Sequence, residues 1–385
     1  MRQQHDGIML ILNREITDKV IKKLQPNKVV MVVGARRVGK TVLVEEILKR
    51  IKELNLSLNG EDINVRDKLI NRTVENYKQL LGTNKLLYID EAQKIPDIGQ
   101  ILKLMVDEIE GLKIIISGSS SFDIYKDAGE PLTGRKFTFK LYAFSENELN
   151  QIENSISKID KLKERLVYGN YPELTHIPDQ KDKREYLNEM ISSYLLKDIL
   201  VYENIKNSQK LFNLLRLIAF QTGSEVSLQE LGSQLGISKN TVEKYLDLLS
   251  KVYILHKVEG FSRNLRKEIT KNSRWYFLDN GIRNATIANF NPITSRNDVG
   301  QLWENYMISE RLKYQEYNRI SVNNYFWRTY EQQEIDWIEE RDGKLYGYEF
   351  KWKDSKVKIP PQWLKAYPEA SFEVINKDNF HSWIK

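Results

Sequence analysis

VVMVVGARRVGKT, residues 29–41, is the stretch from which the rest of the chain is read. Its first five residues are apolar and mostly β-branched, a run too short for a core helix and suited to a parallel strand buried on both faces. The residues that follow, Val42-Leu43-Val44-Glu45-Glu46-Ile47-Leu48, space their apolar side chains as a helix does. Strand, glycine loop and helix in that order are the setting a phosphate-binding loop requires. Gly34 and Gly39 leave the backbone free to curl until successive amides face one phosphate chain. Lys40 sets a cation against the terminal phosphates, and the Thr41 hydroxyl can ligate Mg²⁺. The helix turns its positive end toward the same anion. Around these, Arg37, Val38 and Val42 complete the expected nucleotide contacts, with ATP and Mg²⁺ as the cofactors.

The downstream segments supply the rest of such a site. Leu54 to Leu58 is expected as a second strand, and Leu86-Leu87-Tyr88-Ile89-Asp90-Glu91 as a third that ends in two acids. Asp90 would hold the metal through water, and Glu91 would polarise the attacking water. A further strand, Lys113 to Ser117, runs into Gly118 and three serines. Ser119, and after it Ser117, is the candidate to sense the terminal phosphate; the alternative is a serine-rich turn capping the next helix. Arg135, at the head of the strand-like run 136–141, is either an arginine finger, acting in cis or on a neighbouring subunit, or a surface charge.

Composition limits the remaining choices. A chain of 385 residues accommodates about two to three domains. It has no cysteine, which excludes disulfides and thiolate zinc sites, and its four histidines are too scattered for a metal cluster. A net charge of +6 suits a nucleic-acid partner without requiring one. No signal peptide and no run near the ~20 apolar residues of a membrane span are visible, so a soluble, cytoplasmic chain without a membrane partner is expected.

The order of these motifs, GARRVGKT, YIDEAQKI, ISGSSS and LTGRKF with YAFSENEL, resembles the AAA-superfamily ATPases of archaea and bacteria in which a C-terminal domain of unknown function follows the ATPase. The resemblance continues through YGNYPEL (168–174), WYFLDNGIRN (275–284) and LWENYMISE (302–310). It implies nucleotide binding by Gly34, Gly39, Lys40 and Thr41, and metal and water activation by Asp90 and Glu91. A homo-oligomer is the assembly such a resemblance allows, although the sensor-2 arginine that would tie hydrolysis to it is not identified in the sequence.

Four regions are expected: a P-loop parallel-sheet ATPase domain (1–145), a helical lid (146–205), a winged-helix domain (206–285) and an α/β domain with the restriction-endonuclease fold (286–385). In the lid, Lys161 to Arg165 reads as a solvated helix face. In the third region Leu235-Gly236-Ile237-Ser238 makes the turn between two short helices, with Val242 and Leu246 inward and Lys239, Asn240 and Lys244 outward toward a groove. The wing, residues 262–274, holds Arg263, Arg266, Lys267, Lys271 and Arg274 against Glu268 alone, which suits phosphate contacts. DNA binding of low sequence specificity follows, with protein–protein contact as the alternative.

In the last region, strand alternation puts Glu349 and Lys351 on one face, and Ile335 and Trp337 opposite Asp336. Asp336, Glu349 and Lys351, with Glu304 approaching from a helix, resemble the PD-(D/E)xK nuclease core, although no proline precedes Asp336. That likeness implies metal binding by Asp336 and Glu349 and catalytic roles for Glu304 and Lys351, or a surface that binds without cutting. The whole reads as Mg²⁺-dependent ATP hydrolysis coupled to DNA binding, with possible cleavage. The rival reading is a nucleotide-gated regulator or scaffold whose nuclease-like domain is silent.

Overall fold

The computed structural model describes residues 12–119, 131–153, 158–195, 208–262 and 273–385. Strand β1 (Val29–Val33) is buried along its whole length. Val30 and Val32 face Leu43, Val44 and Ile47 of the helix Lys40–Ile51, while Val29, Met31 and Val33 face Ile101, Leu102 and Met105 of the helix Ile98–Glu108. Apolar side chains on both faces fit a strand sandwiched between helix layers. With β2 (Asn55–Asn59), β3 (Leu86–Asp90), β4 (Lys113–Gly118) and β5 (Lys136–Lys140) it forms a parallel sheet of order β2-β3-β4-β1-β5. β2 starts one residue later than its sequence suggests and, as an edge strand, alternates exposed and half-buried residues. β4 lies between β1 and β3, so its end falls between the glycine loop and Asp90.

A second sheet gathers β6 (Glu225–Val226), β7 (Leu255–Gly260), β8 (Ser273–Phe277), β9 (Asn323–Arg328), β10 (Glu334–Arg341), β11 (Lys344–Phe350) and β12 (Ser371–Ile375) in the order β12-β11-β10-β9-β7-β8-β6. The short parallel pairing of Glu259 with Tyr325 and Gly260 with Phe326 makes it continuous across the boundary expected at 285–286. Before it come the helices Ser208–Phe220, Leu228–Leu235 and Lys239–Lys251. Ser227 and Ser238 cap the last two, and Gly236 ends the middle one with φ 61°. Val242 and Leu246 are buried, and Lys239, Asn240 and Lys244 are exposed. No helix among the described residues is long and apolar enough to cross a membrane.

The two sheets are joined by buried polar groups. Glu146 opens a one-turn helix, and its carboxylate accepts Arg165 Nε at 2.6 Å and Nη2 at 2.9 Å, together with the Tyr306 hydroxyl. Arg165 is therefore buried, and the solvated face expected for 161–165 is corrected: Leu162 and Arg165 point inward and Lys161 and Lys163 outward. Glu310 accepts the Glu146 amide at 2.8 Å and Lys313 Nζ at 2.6 Å. The Asn170 side-chain amide donates to the Phe144 carbonyl at 2.9 Å and to Glu310 at 3.2 Å, while Asp279 accepts its backbone N–H at 2.7 Å. A Cβ on Gly169 would fall 2.0 Å from Asp279 Oδ1, and its φ of 78° also favours glycine. Asn305 exchanges hydrogen bonds with the Phe277 backbone at 2.8 and 3.0 Å. YAFSENEL, YGNYPEL, WYFLDNGIRN and LWENYMISE thus meet at one seam.

Removing one partner of a buried ion pair strands the other. Arg165→Met is expected to lower unfolding free energy by about 3–5 kcal/mol, read by urea denaturation, whereas Lys181→Ala, at the exposed pair with Glu185, should leave the midpoint unchanged.

Candidate functional site

The glycine loop is held from two sides. A Cβ on Gly34 would lie 2.1 Å from the Leu141 carbonyl oxygen, and the Leu141 amide donates to Val33 at 2.7 Å, so the loop packs on the chain leaving β5. Gly39 takes φ 91° at the head of the helix Lys40–Ile51, whose first turn has no side-chain cap and leaves its amides to the loop. Arg37, exposed at φ 61°, lies over the Tyr186 ring at 5.5 Å. Lys40 is buried, and its ammonium donates to the carbonyls of Gly34 at 3.1 Å and Ala35 at 2.8 Å, folded across the space a phosphate chain would enter.

The acids stand on the far side of that space. Thr41 Oγ1 donates to Asp90 Oδ2 at 2.9 Å, and Asp90 Oδ1 accepts the Glu91 amide at 3.0 Å and the Ser117 hydroxyl. Glu91 has φ 46°, a left-handed conformation uncommon for a residue with a Cβ. Its carboxylate accepts the Gln93 amide and, at 3.3 Å, the Ser119 hydroxyl, while Gln93 and Ser119 are themselves 3.0 Å apart. The two serines divide the work: Ser117 touches Asp90 and Ser119 touches Glu91. Loop amides, Lys40, Thr41 and Asp90 form a donor set that fits a triphosphate with Mg²⁺.

Three contributors escaped the sequence reading. Gln93 sits on the short turn Ala92–Lys94, and its one signal is its place two residues after the acidic pair. Arg14 is buried and donates to Val38 O at 2.7 Å, Tyr142 O at 2.7 Å and Glu148 at 2.9 Å, fixing the loop from the N-terminal side. Beside Gly39 a cleft of about 230 Å³ is lined by Val42, Leu43, Phe144 and Pro172 together with Arg14, Glu45, Glu46, Arg50 and His176. Nothing in a local motif announces either.

Arg135 needs correction as a cis residue. Its carbonyl accepts the amide of Val29, at the start of β1 and thus at the end opposite the loop, roughly 16 Å away for five strand residues. Its guanidinium pairs with Asp107 at 2.7 Å.

In the second sheet Glu304, from the helix Val299–Tyr317, approaches Asp336 on β10 and Glu349 on β11, with Lys351 Nζ 2.7 Å from Glu349. Asp336 accepts the Phe350 amide at 3.0 Å, and Glu304 the Tyr276 hydroxyl at 2.7 Å. Burial, then the neighbouring carboxylates, pushes Glu304 and Asp336 above the usual carboxylate range. The strand alternation expected around Asp336 is corrected by a register shift in β10: Ile335 packs with Ile338 in one cluster and Trp337 with Tyr348 in another.

Arg274 is corrected as well. Rather than lying on a basic wing it is buried, 2.8 Å from Glu334 and 3.8–3.9 Å from Asp336 and Glu304. Arg266 and Lys267 lie outside the described residues. Among the described residues no group of three or more acidic, histidine or cysteine side chains is disposed to hold a metal ion, Glu304, Asp336 and Glu349 included.

Residues 26–150 match the family model of an AAA domain, and residues 159–293 and 299–377 match two models for domains of unknown function. An uncharacterized protein of Methanocaldococcus jannaschii is 24% identical, covering 96% of this chain and 88% of its own. One of Mycobacterium tuberculosis is 25% identical over 89% of this chain and 74% of its own. Among solved structures, the Thermotoga maritima RuvB Holliday junction branch migration motor overlaps 68% of this chain and 95% of its own at 14% identity and TM-score 0.33. The replication initiator DnaA bound to AMPPCP and single-stranded DNA overlaps 63% and 90% at 14% identity and TM-score 0.33. Over residues 26–150 the chain is thus similar to AAA domains, in keeping with the parallel sheet and glycine loop found there.

Lys40→Ala is expected to abolish binding of a fluorescent ATP analogue. Glu91→Gln should keep that binding while lowering turnover about 10²-fold or more, the scale of a lost general base, as measured by phosphate release.

Proposed function

We propose that this protein is a Mg²⁺-dependent ATPase whose turnover is coupled to binding DNA with little sequence preference. The observation that carries the reading is the hydrogen bond from Thr41 to Asp90, beside Lys40 and Glu91, which brings residues of two motifs some fifty positions apart into one site. Thr41 and Asp90 would hold the Mg²⁺, which would supply positive charge against the terminal phosphates. Lys40 would leave the loop carbonyls for the phosphate oxygens. Glu91, held by Gln93 and Ser119, would take the proton of a water as its oxygen bonds to the terminal phosphorus and the bond to the leaving diphosphate breaks.

Three features support a nucleic-acid partner. Helix, strand, two helices and hairpin follow one another over 208–277 in the order of a winged helix. Lys239, Asn240 and Lys244 share the exposed side of its last helix. The chain is also basic overall, at +6. Pro172 and His176 at the cleft, and Tyr186 at Arg37, support reading the described part of 146–205 as a lid over the nucleotide. Arg135, remote from its own loop, would act only on a neighbouring subunit.

The helix Val299–Tyr317 offers the coupling route. The Tyr317 hydroxyl meets Arg14 at 3.3 Å and the Tyr142 amide at 3.1 Å, beside the loop, and Glu304 lies thirteen residues back, about 20 Å along the same helix. The regulator reading draws support from Arg274, which closes the acidic cluster in this state.

Duplex DNA is expected to raise ATP turnover severalfold, and Lys239→Glu with Lys244→Glu to remove that stimulation while basal turnover stays. Turnover unresponsive to DNA in the unmodified protein would end the coupling claim.

A further inference from the structure

A cleft of about 290 Å³ lies beside the buried Glu146–Arg165 pair, where the one-turn helix Glu146–Leu149 ends, the helix Lys158–Tyr168 begins and residues 377–381 pass by. Its carboxylates are already taken. Glu146 accepts two bonds from Arg165 and one from Tyr306, and both oxygens of Asp378 accept Lys377 at 2.8 Å. Three other polar side chains on its wall are not: Lys158, Asn150 and His381 make no side-chain hydrogen bond or ion pair among the described residues. Asn150 Oδ1 and His381 Nδ1 are buried without a partner, which leaves Asn150 Nδ2 and His381 Nε2 as the nitrogens that meet solvent. Burial, with Lys158, Lys385 and Arg165 adding to it and Glu146 opposing, holds the imidazole below the usual histidine range. A neutral ring of this kind can carry its proton on Nε2 and donate from there.

We infer that this cleft binds a small oxyanion, a phosphate or a carboxylate, held by Lys158, Asn150 and His381. Each of the three has a donor to offer and no acceptor to meet it, and together they come from three separate segments on one wall. The ammonium of Lys158 would make a charge-assisted bond, the strongest of the set, while the amide and the ring nitrogen would fix the orientation of the anion. Charge favours an anion over a cation. Glu146 and Asp378 are matched by Arg165 and Lys377, whereas Lys158 has no carboxylate of its own. At about 290 Å³ the cleft falls at the lower end of ligand-pocket sizes, so its occupant is small. A bound anion would tie residue 150, the start of the helix Lys158–Tyr168 and His381 to one another across the seam. The inference depends on neither the ATPase reading nor the nuclease-like one.

The test is magnetic resonance of the full chain labelled at histidine, at neutral pH and constant ionic strength, with the His381 signal identified by its loss in His381→Gln. Titration with inorganic phosphate or with acetate is expected to move that signal saturably, and chloride to leave it in place; the anion that binds tighter tells a phosphate site from a carboxylate site. Phosphate taken up at the glycine loop would register at His176, beside Gly39, instead. Lys158→Ala is expected to weaken the response about tenfold, the scale of one charge-assisted hydrogen bond. Asn150→Asp, which sets a carboxylate against the anion, should abolish it. No saturable response to either oxyanion, a response that chloride reproduces, or a response unchanged in both variants would overturn the inference. Should Lys158→Ala not fold, Asn150→Asp decides by the same titration: a lost response supports the site and an unchanged one overturns it.

Discussion

The carboxylate of Glu146, wholly buried at the head of a one-turn helix, is the constraint on which the arrangement of the chain depends. A charge withdrawn from water needs a complete set of partners, and here they come from separate stretches: Arg165, nineteen residues on, and Tyr306, one hundred and sixty residues on. Glu310 and Lys313 add a second pair one turn along the helix that carries Tyr306. Burial of this kind stabilises less than an apolar seam of equal volume would, but it tolerates few alternatives. Each group is satisfied only when the ATPase sheet, the helices after it and the second sheet stand in one relative position.

That fixed position lets one helix serve two sites. Val299–Tyr317 carries Glu304 near its start, at the acidic cluster, and Tyr317 at its end, beside the Arg14 that braces the glycine loop. Arg14 and Arg274 are matching cases at the two ends. Each is a buried arginine that leaves its own neighbourhood in the sequence to hold a functional loop or cluster in place. Arg14 is fully engaged by carbonyls and Glu148, whereas Arg274 is held by charge with one donor unmet.

The nucleotide site was legible in the chain because its chemistry is local. Gly34, Gly39, Lys40 and Thr41 act through the backbone of one turn, and Asp90 and Glu91 end one strand. Gln93 and Ser119 were harder: what matters is that both reach Glu91, and they do so because β4 is inserted beside β3. The acidic cluster was legible in membership and wrong in detail. Its strand alternation assumed a regular β10, and a register shift between Ile335 and Ile338 put Ile335 and Trp337 in different clusters.

The charged residues mark the limit most clearly. Arg165, Arg274 and Arg135 look alike as letters among lysines and acids, and the sequence reads the first as solvated, the second as part of a basic wing and the third as a finger or a surface charge. Whether an arginine is buried depends on carboxylates supplied by other segments: Glu146 for Arg165, Glu304, Glu334 and Asp336 for Arg274. By itself the sequence determined the parallel sheet around β1, the phosphate loop and the acidic pair, because periodicity and glycine spacing act over a few residues. Only the tertiary structure decided which cations lie inside, which end of the sheet Arg135 occupies and what stands among the carboxylates of the second site, because those depend on the low-dielectric company each charge keeps after the chain has closed.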